Sequence, residues 1–187
     1  IQKPFSVGAR IEHPQKLIDK AQYGAFAGHP KLGAADYKLS CHGLHQRGAY
    51  TCCMCPGGTV VAAASEKGGV IVNGMSTLAR DGENANSALL VGIDPVDFPS
   101  EHPLAGMYYQ REIEQNAFAL GGGDYRAPAQ LVGDFLADRE SRALGNVQPT
   151  CPTGVTLTNL RYCLPDKVRT TMQAAITEMD KRLHGFA

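Results

Sequence analysis

Three of the six cysteines of this 187-residue chain crowd into four positions, Cys52, Cys53 and Cys55 in "TCCMC". Thiols this close could ligate a metal, exchange with disulfides or attack an electrophile. A structural zinc site built on Cys53-x-Cys55 needs a second ligand pair elsewhere. No His-x-x-x-His supplies one, so no metal is expected. On a regular strand Cys53 and Cys55 point to one face and Cys52 and Met54 to the other. They serve there either as small, soft core residues or as thiols facing a substrate or an electron acceptor.

A second polar group lies in "ARDGENANSA", which gathers Arg80, Asp81, Glu83, Asn84 and Asn86 within seven residues. Arg80 has the fork geometry to clamp a carboxylate, with Asn84 and Asn86 orienting a polar substrate. The same residues could equally hold a loop by Asx turns. Arg10, Glu12 and His13 form a third group at the end of a strand pattern. His13 precedes Pro14, a position that suits a cap or surface residue better than a general base. There is no G-x-G-x-x-G and no G-x-S-x-G. "GGGDY" at Gly121 to Tyr125 lacks the Lys-Ser/Thr of a phosphate loop and reads as a helix stop.

The elements that must position these residues are legible from periodicity. Phe5, Val7, Ala9 and Ile11 alternate with Ser6 and Arg10, the pattern of a half-buried strand. "HPQKLIDKAQYG" reads as a short helix with Pro14 at its first turn and Gly24 as its stop. "ADYKLSCHG", "GAYTCCMC", "TVVAAASE" and "VIVNGMS", punctuated by "PGG" and "KGG", predict an antiparallel meander. The near-continuous apolar run of "SALLVGID" predicts a strand buried on both faces. Helical spacing then takes over from Leu104 to the glycines at 121–123. A second helix is expected across "PAQLVGDFLADRE" and a third across "PDKVRTTMQAAITEMDKRLHG". The last carries Val168, Met172, Ala175, Ile176, Met179 and Leu183 on one stripe. Between these two, residues 140–165 are long for a loop, and part is expected to pair as a strand. The expected fold is a single α+β domain over 1–187. Residues 1–96 are mainly β, in an antiparallel meander or barrel-like sheet, and residues 103–187 are a mainly helical lobe.

Eighteen Lys and Arg balance eighteen Asp and Glu, so the overall field offers no pull on nucleic acid or an anionic membrane. The longest apolar run, "VVAAA", is far shorter than the roughly 20 residues of a membrane helix. Six cysteines without the spacing of a secreted disulfide framework lead us to expect reduced thiols and a cytoplasmic setting. "IQKPFSVG" at the start and "KRLHGFA" at the end suggest a piece of a larger protein.

Taken in order, "KPFSVGARIEHPQKLID", "LGAADYKL", "YTCCMCPGGTVVAAASEKGGVIVNGMS" and "ARDGENANSALLV" resemble a family of bacterial FAD-dependent dehydrogenases, the NAD(FAD)-utilising dehydrogenases. The family-like "CMCPGG" falls on Cys53 to Gly58 and "RDGENAN" on Arg80 to Asn86. Cys52 departs from the pattern, which has an aromatic residue there. The resemblance implies that this chain is an insertion, a cap or substrate domain. Its partner would be the FAD-binding domain of the same polypeptide, with FAD bound in the full-length protein and none bound by this chain alone. It also implies hydride transfer between flavin and an unknown small molecule or nicotinamide. Arg80, Asn84, Asn86, Cys53, Cys55, Arg10 and His13 are then candidates to face substrate or flavin. An insertion should leave and re-enter its host at neighbouring points, so Ile1 and Ala187 are expected on the same side. The alternative is a non-enzymatic interaction module whose polar loop docks a partner protein or RNA.

Overall fold

The computed structural model describes residues 1–187. Strand β1 (Phe5–Pro14) turns Val7 and Ile11 inward, as the alternation predicts, and buries His13 as well, which corrects its expected place as a cap or surface residue. Pro14 leads into α1 (Gln15–Tyr23), and Gly24 stops that helix at a φ of 55°. Strands β2 (Ser40–Leu44) and β3 (Arg47–Cys55) form a hairpin whose turn residues, His45 and Gln46, both take positive φ. A second hairpin joins β4 (Gly58–Ala62) and β5 (Val72–Ser76), and β6 (Asn84–Ile93) follows. The second half holds α2 (Ala105–Gly121), β7 (Ala127–Ala129), α3 (Val132–Leu136), β8 (Val155–Leu157) and α4 (Asp166–Asp180).

The main sheet has the order β1-β6-β3-β2 and is antiparallel throughout. β4 pairs only with β5, and β7 pairs in parallel with β8. The fold is α+β with a helical lobe, but the barrel-like expectation is wrong. β6 inserts between β1 and β3, so β1 and β2 remain as two open edges, and four strands do not close. The meander is broken for a related reason. Pro56 and Gly57 carry the chain out of the main sheet after β3, and β3 gives its edge to the distant β6 rather than to β4.

Helix α4 crosses one face of this sheet, touching all four of its strands. Val168, Met172, Ala175, Ile176 and Met179 pack there with Leu89, Val91, Ile93 and Ala49, all nearly free of solvent. Burying each such large apolar side chain contributes about 1.5–3 kcal/mol, which makes this layer the main stabilising contact of the fold. Along β6 burial alternates from Ala88 onward, so the expectation of burial on both faces is corrected. Ser6, Gly8, Tyr50, Cys52, Ala88, Leu90 and Gly92 share the second face, which no helix covers and which remains partly exposed. The β4–β5 hairpin covers only its far end, over Asn84 and Asn86.

The helix expected over 128–140 shrinks to Val132–Leu136. Ala127–Ala129 is taken up by the parallel pair with β8, and Asp138 ends the turn at a φ of 51°. β8 is the strand expected within 140–165. The expectation of neighbouring chain ends is not met. The Gln2 amide bonds the Ser100 and His102 carbonyls beyond the start of β1, whereas Phe186 is bonded to His13 at its other end. Those positions are separated by roughly 27 Å of strand, eight residues at about 3.4 Å each. No helix is long and apolar enough to cross a membrane.

Candidate functional site

Arg10 lies at the boundary between the open part of the second face and the part covered by the hairpin. Its Nε donates to Asn86 Oδ1 at 2.7 Å, Nη1 to Asn73 Oδ1 at 3.2 Å, and Nη2 to the Cys53 carbonyl at 2.6 Å. The Cys55 Sγ lies 3.6 Å from Nη2. The guanidinium therefore ties β1 to β3, β5 and β6 through neutral partners only. Burial holds it below its ordinary pKa, opposed by the nearby Cys55 and Cys53 sulfurs. Gly74 permits this approach, because a Cβ there would run into Arg10 Nη2 and Asn86 Oδ1. Asn86 is wholly buried, and its Nδ2 has no hydrogen-bond partner.

The cysteines do not follow strand alternation. Cys52 pairs with Ala88 and Cys55 with Asn86, so two residues of β3, Cys53 and Met54, oppose the single Ser87. This is a β-bulge, and Cys53 takes a φ of 47° within it. Cys53 becomes exposed, with its Sγ 3.4 Å from the Cys52 Sγ. The Cys55 thiol donates to the Cys53 carbonyl at 3.2 Å. The Cys52 thiol is raised above its ordinary pKa, first by its hydrogen bond with Cys53 and then by burial. The expectation that Cys53 and Cys55 share one face and Cys52 and Met54 the other is corrected: the extra residue breaks the period of two.

The remaining candidates are distributed around this cluster. Asn84 donates to the Gln148 carbonyl at 2.9 Å and to Glu12 Oε1 at 3.2 Å, and Glu12 also receives the Thr150 hydroxyl at 2.5 Å. This network fastens the 148–150 segment to β1. His13 is buried, with Nε2 2.9 Å from the Phe186 carbonyl and its ring stacked in a tilted pair at 4.9 Å from that of Phe186. Burial lowers its pKa, against the opposing effect of its hydrogen bond to the Phe186 carbonyl. Tyr37 packs edge-on against both rings, with its hydroxyl 2.8 Å from Ser87 Oγ and its pKa pushed up to about 12 mainly by burial. Arg80 stands apart on the loop before β6. It is exposed, has a φ of 52° and makes no side-chain hydrogen bond. Its carbonyl crowds Gly57, where a Cβ would collide with it.

The structure thus joins Arg10, Asn86, Cys53 and Cys55, and separates Asn84, His13 and Arg80 from them. Sequence reasoning missed Asn73, Gly74 and Tyr50. Gly74 inside a strand pattern was the available signal, since an isolated glycine there marks a place where something comes close to the backbone. Tyr50 carries no motif, and only the register beside Leu90 puts it on the open face, where its hydroxyl donates to Ser6 Oγ at 2.9 Å. No group of three or more His, Cys, Asp or Glu side chains is placed to hold a metal ion. The cluster can present a positive charge and thiols beside a low, partly apolar surface.

Residues 4–187 match the family described as "FAD-dependent protein, C-terminal domain-like". The chain is also 53% identical over 186 residues to an uncharacterized protein of Clostridium beijerinckii. That alignment takes in 99% of this chain and 35% of the relative, so the chain spans about a third of its length.

Proposed function

The chain belongs to the FAD-dependent protein, C-terminal domain-like family, and from this premise we propose that it is the substrate-facing cap of an FAD-dependent oxidoreductase. The observation that carries the reading is the open face of the main sheet with Arg10 at its edge. Ser6, Gly8 and Ala88 keep that face low, Tyr50 and Leu90 offer apolar contact, and all the hydrogen-bond partners of Arg10 are neutral. These residues fit a flat ring system lying against the sheet. They do not fit a wrapped dinucleotide, for which the chain has no glycine fingerprint. FAD, held by the remainder of the same polypeptide, would supply hydride transfer to or from a small organic molecule or a nicotinamide.

This chain's own residues would cover the ring, exclude water and orient the substrate. Arg10 would favour an anionic group at the edge of the face, with the Cys53 and Cys55 thiols beside it. Arg80, whose guanidinium is free, is proposed as a second cation approaching from the neighbouring loop. Asn86 would hold Arg10 in place, whereas Asn84 and His13 would fasten the neighbouring segments to the sheet.

Expression of the whole polypeptide and its visible spectrum test this reading. It predicts a yellow protein whose flavin absorbance changes when Tyr50→Arg or Ser6→Arg charges the open face. A colourless protein, or flavin absorbance indifferent to both substitutions, refutes the cap assignment. With flavin present, a substrate screen on Arg10→Met, Arg80→Ala and Cys53→Ser locates the substrate side.

A further inference from the structure

In a regular strand, adjacent side chains leave opposite faces, and neighbouring thiols point away from each other. The bulge in β3 removes that separation. With Cys53 at a φ of 47°, its Sγ swings to the side of Cys52 and stands 3.4 Å from the other sulfur. A disulfide needs about 2 Å, so the two atoms have little more than 1 Å to close. Cys53 is exposed and Cys52 half-buried, whereas Cys41, Cys151 and Cys163 are buried. The third nearby thiol, Cys55, is turned to the Cys53 carbonyl and to Arg10.

We infer that Cys52 and Cys53 form a vicinal dithiol site that undergoes thiol–disulfide exchange with low-molecular-weight disulfides and closes to a reversible Cys52–Cys53 disulfide. This goes beyond the flavin reading and does not depend on it. The exposed Cys53 thiol releases its proton to solvent, and its sulfur attacks one sulfur of the small disulfide. The S–S bond of the reagent breaks, a mixed disulfide forms on Cys53, and the first small thiolate leaves and takes a proton from water. Cys52 then loses its proton and attacks the Cys53 sulfur. The mixed disulfide breaks, and the second small thiol leaves. The protein loses two protons and two electrons, and the reagent gains both.

Closure has a structural consequence that a surface adduct would lack. The ring includes the φ torsion of Cys53, so forming it displaces the carbonyl that Arg10 Nη2 holds at 2.6 Å. The oxidation state of the pair is thereby read by the Arg10 cluster.

The test uses the reduced protein, oxidised glutathione as reagent, and alkylation of the remaining thiols in denaturant. Trypsin releases Gly48–Lys67, which contains Cys52, Cys53 and Cys55. The expected product has lost two hydrogens, with the single alkyl group on Cys55 in tandem mass spectrometry. Dithiothreitol should restore three alkylated cysteines. Cys52→Ser should instead trap glutathione on Cys53, and Cys55→Ser should close as the parent does. Phenylarsine oxide, which bridges paired thiols, should bind once per chain, and this binding should be lost in Cys53→Ser and kept in Cys55→Ser. A persistent glutathione adduct on the parent's Cys53, or closure through Cys55, overturns the inference.

Discussion

Replacement of Arg10 by Met retains a flexible apolar stem and removes every hydrogen bond of the guanidinium. The cost follows from what each partner can do next. Asn73 is exposed and exchanges its bond for water at little cost. The Cys53 carbonyl keeps the Cys55 thiol as a donor. Asn86 is different, because it is wholly buried and its Nδ2 already lacks a partner. Orphaning its Oδ1 costs about 1–3 kcal/mol, and the weaker bonds add about 1 kcal/mol more. Release of the guanidinium from its half-buried position offsets part of this, so Arg10→Met should lose about 2–3 kcal/mol. Urea unfolding gives the value directly. A double-mutant cycle with Asn86→Ala separates the pair from its surroundings, and the double mutant should fall short of the sum of singles by at least about 1 kcal/mol. A single-mutant loss below about 0.5 kcal/mol, or strict additivity, would refute the assignment of Arg10 as the tie between β1 and β6.

Two further predictions concern pH. Arg47 grips Asp97 with bonds of 2.6 and 2.8 Å, and holds its carboxyl down from 3.8 to about 2. The folded state thus favours the ionised form. Its contribution is complete above about pH 5, declines as pH falls through 3.8, and is gone below about 2. At 1.36 kcal/mol per unit, trimmed for solvent contact at Arg47, Asp97→Asn should lose about 1–2 kcal/mol at pH 7. Urea titration should show that difference vanishing near pH 2, and an equal loss at both pH values would contradict it. His13 is held neutral by burial, with a pKa below the ordinary 6.5. The unfolded chain takes up a proton first, so stability is complete above 6.5 and is lost as pH falls below it. Thermal melts of His13→Gln should therefore flatten between pH 7 and 5 relative to the parent, and an unchanged slope would reject the assignment.

Local patterns revealed those elements whose cause is local. The stripe from Val168 to Met179 marked α4, the alternation from Phe5 to Ile11 marked β1, and Gly24 stopped α1 where it was expected to. The partner of β3 was not legible, because pairing with β6 rather than β4 depends on a contact across more than thirty residues. Propensity also failed over 128–140, where pairing with β8 overrode a helical pattern. At the site, Arg10, Asn86, Cys53 and Cys55 were visible as residue types able to do chemistry. Their convergence was not, since it rests on a bulge with no glycine to announce it: Cys53 takes the left-handed backbone itself.

That bulge also sets the parity of everything that follows it in the chain. Before it, β3 and β6 are in step; after it, β3 is ahead by one residue, and Cys55 rather than Met54 stands opposite Asn86. A regular ladder through the same residues would instead set Met54 opposite Asn86 and turn Cys55 to the face occupied by α4, and the Pro56–Gly57 exit with its β4–β5 hairpin would follow it. The hairpin would then no longer reach Arg10 with Asn73. Deleting Cys53 or Met54 would remove the bulge and still leave Cys55 opposite Asn86, so the site depends on the two-against-one count and not on either residue alone.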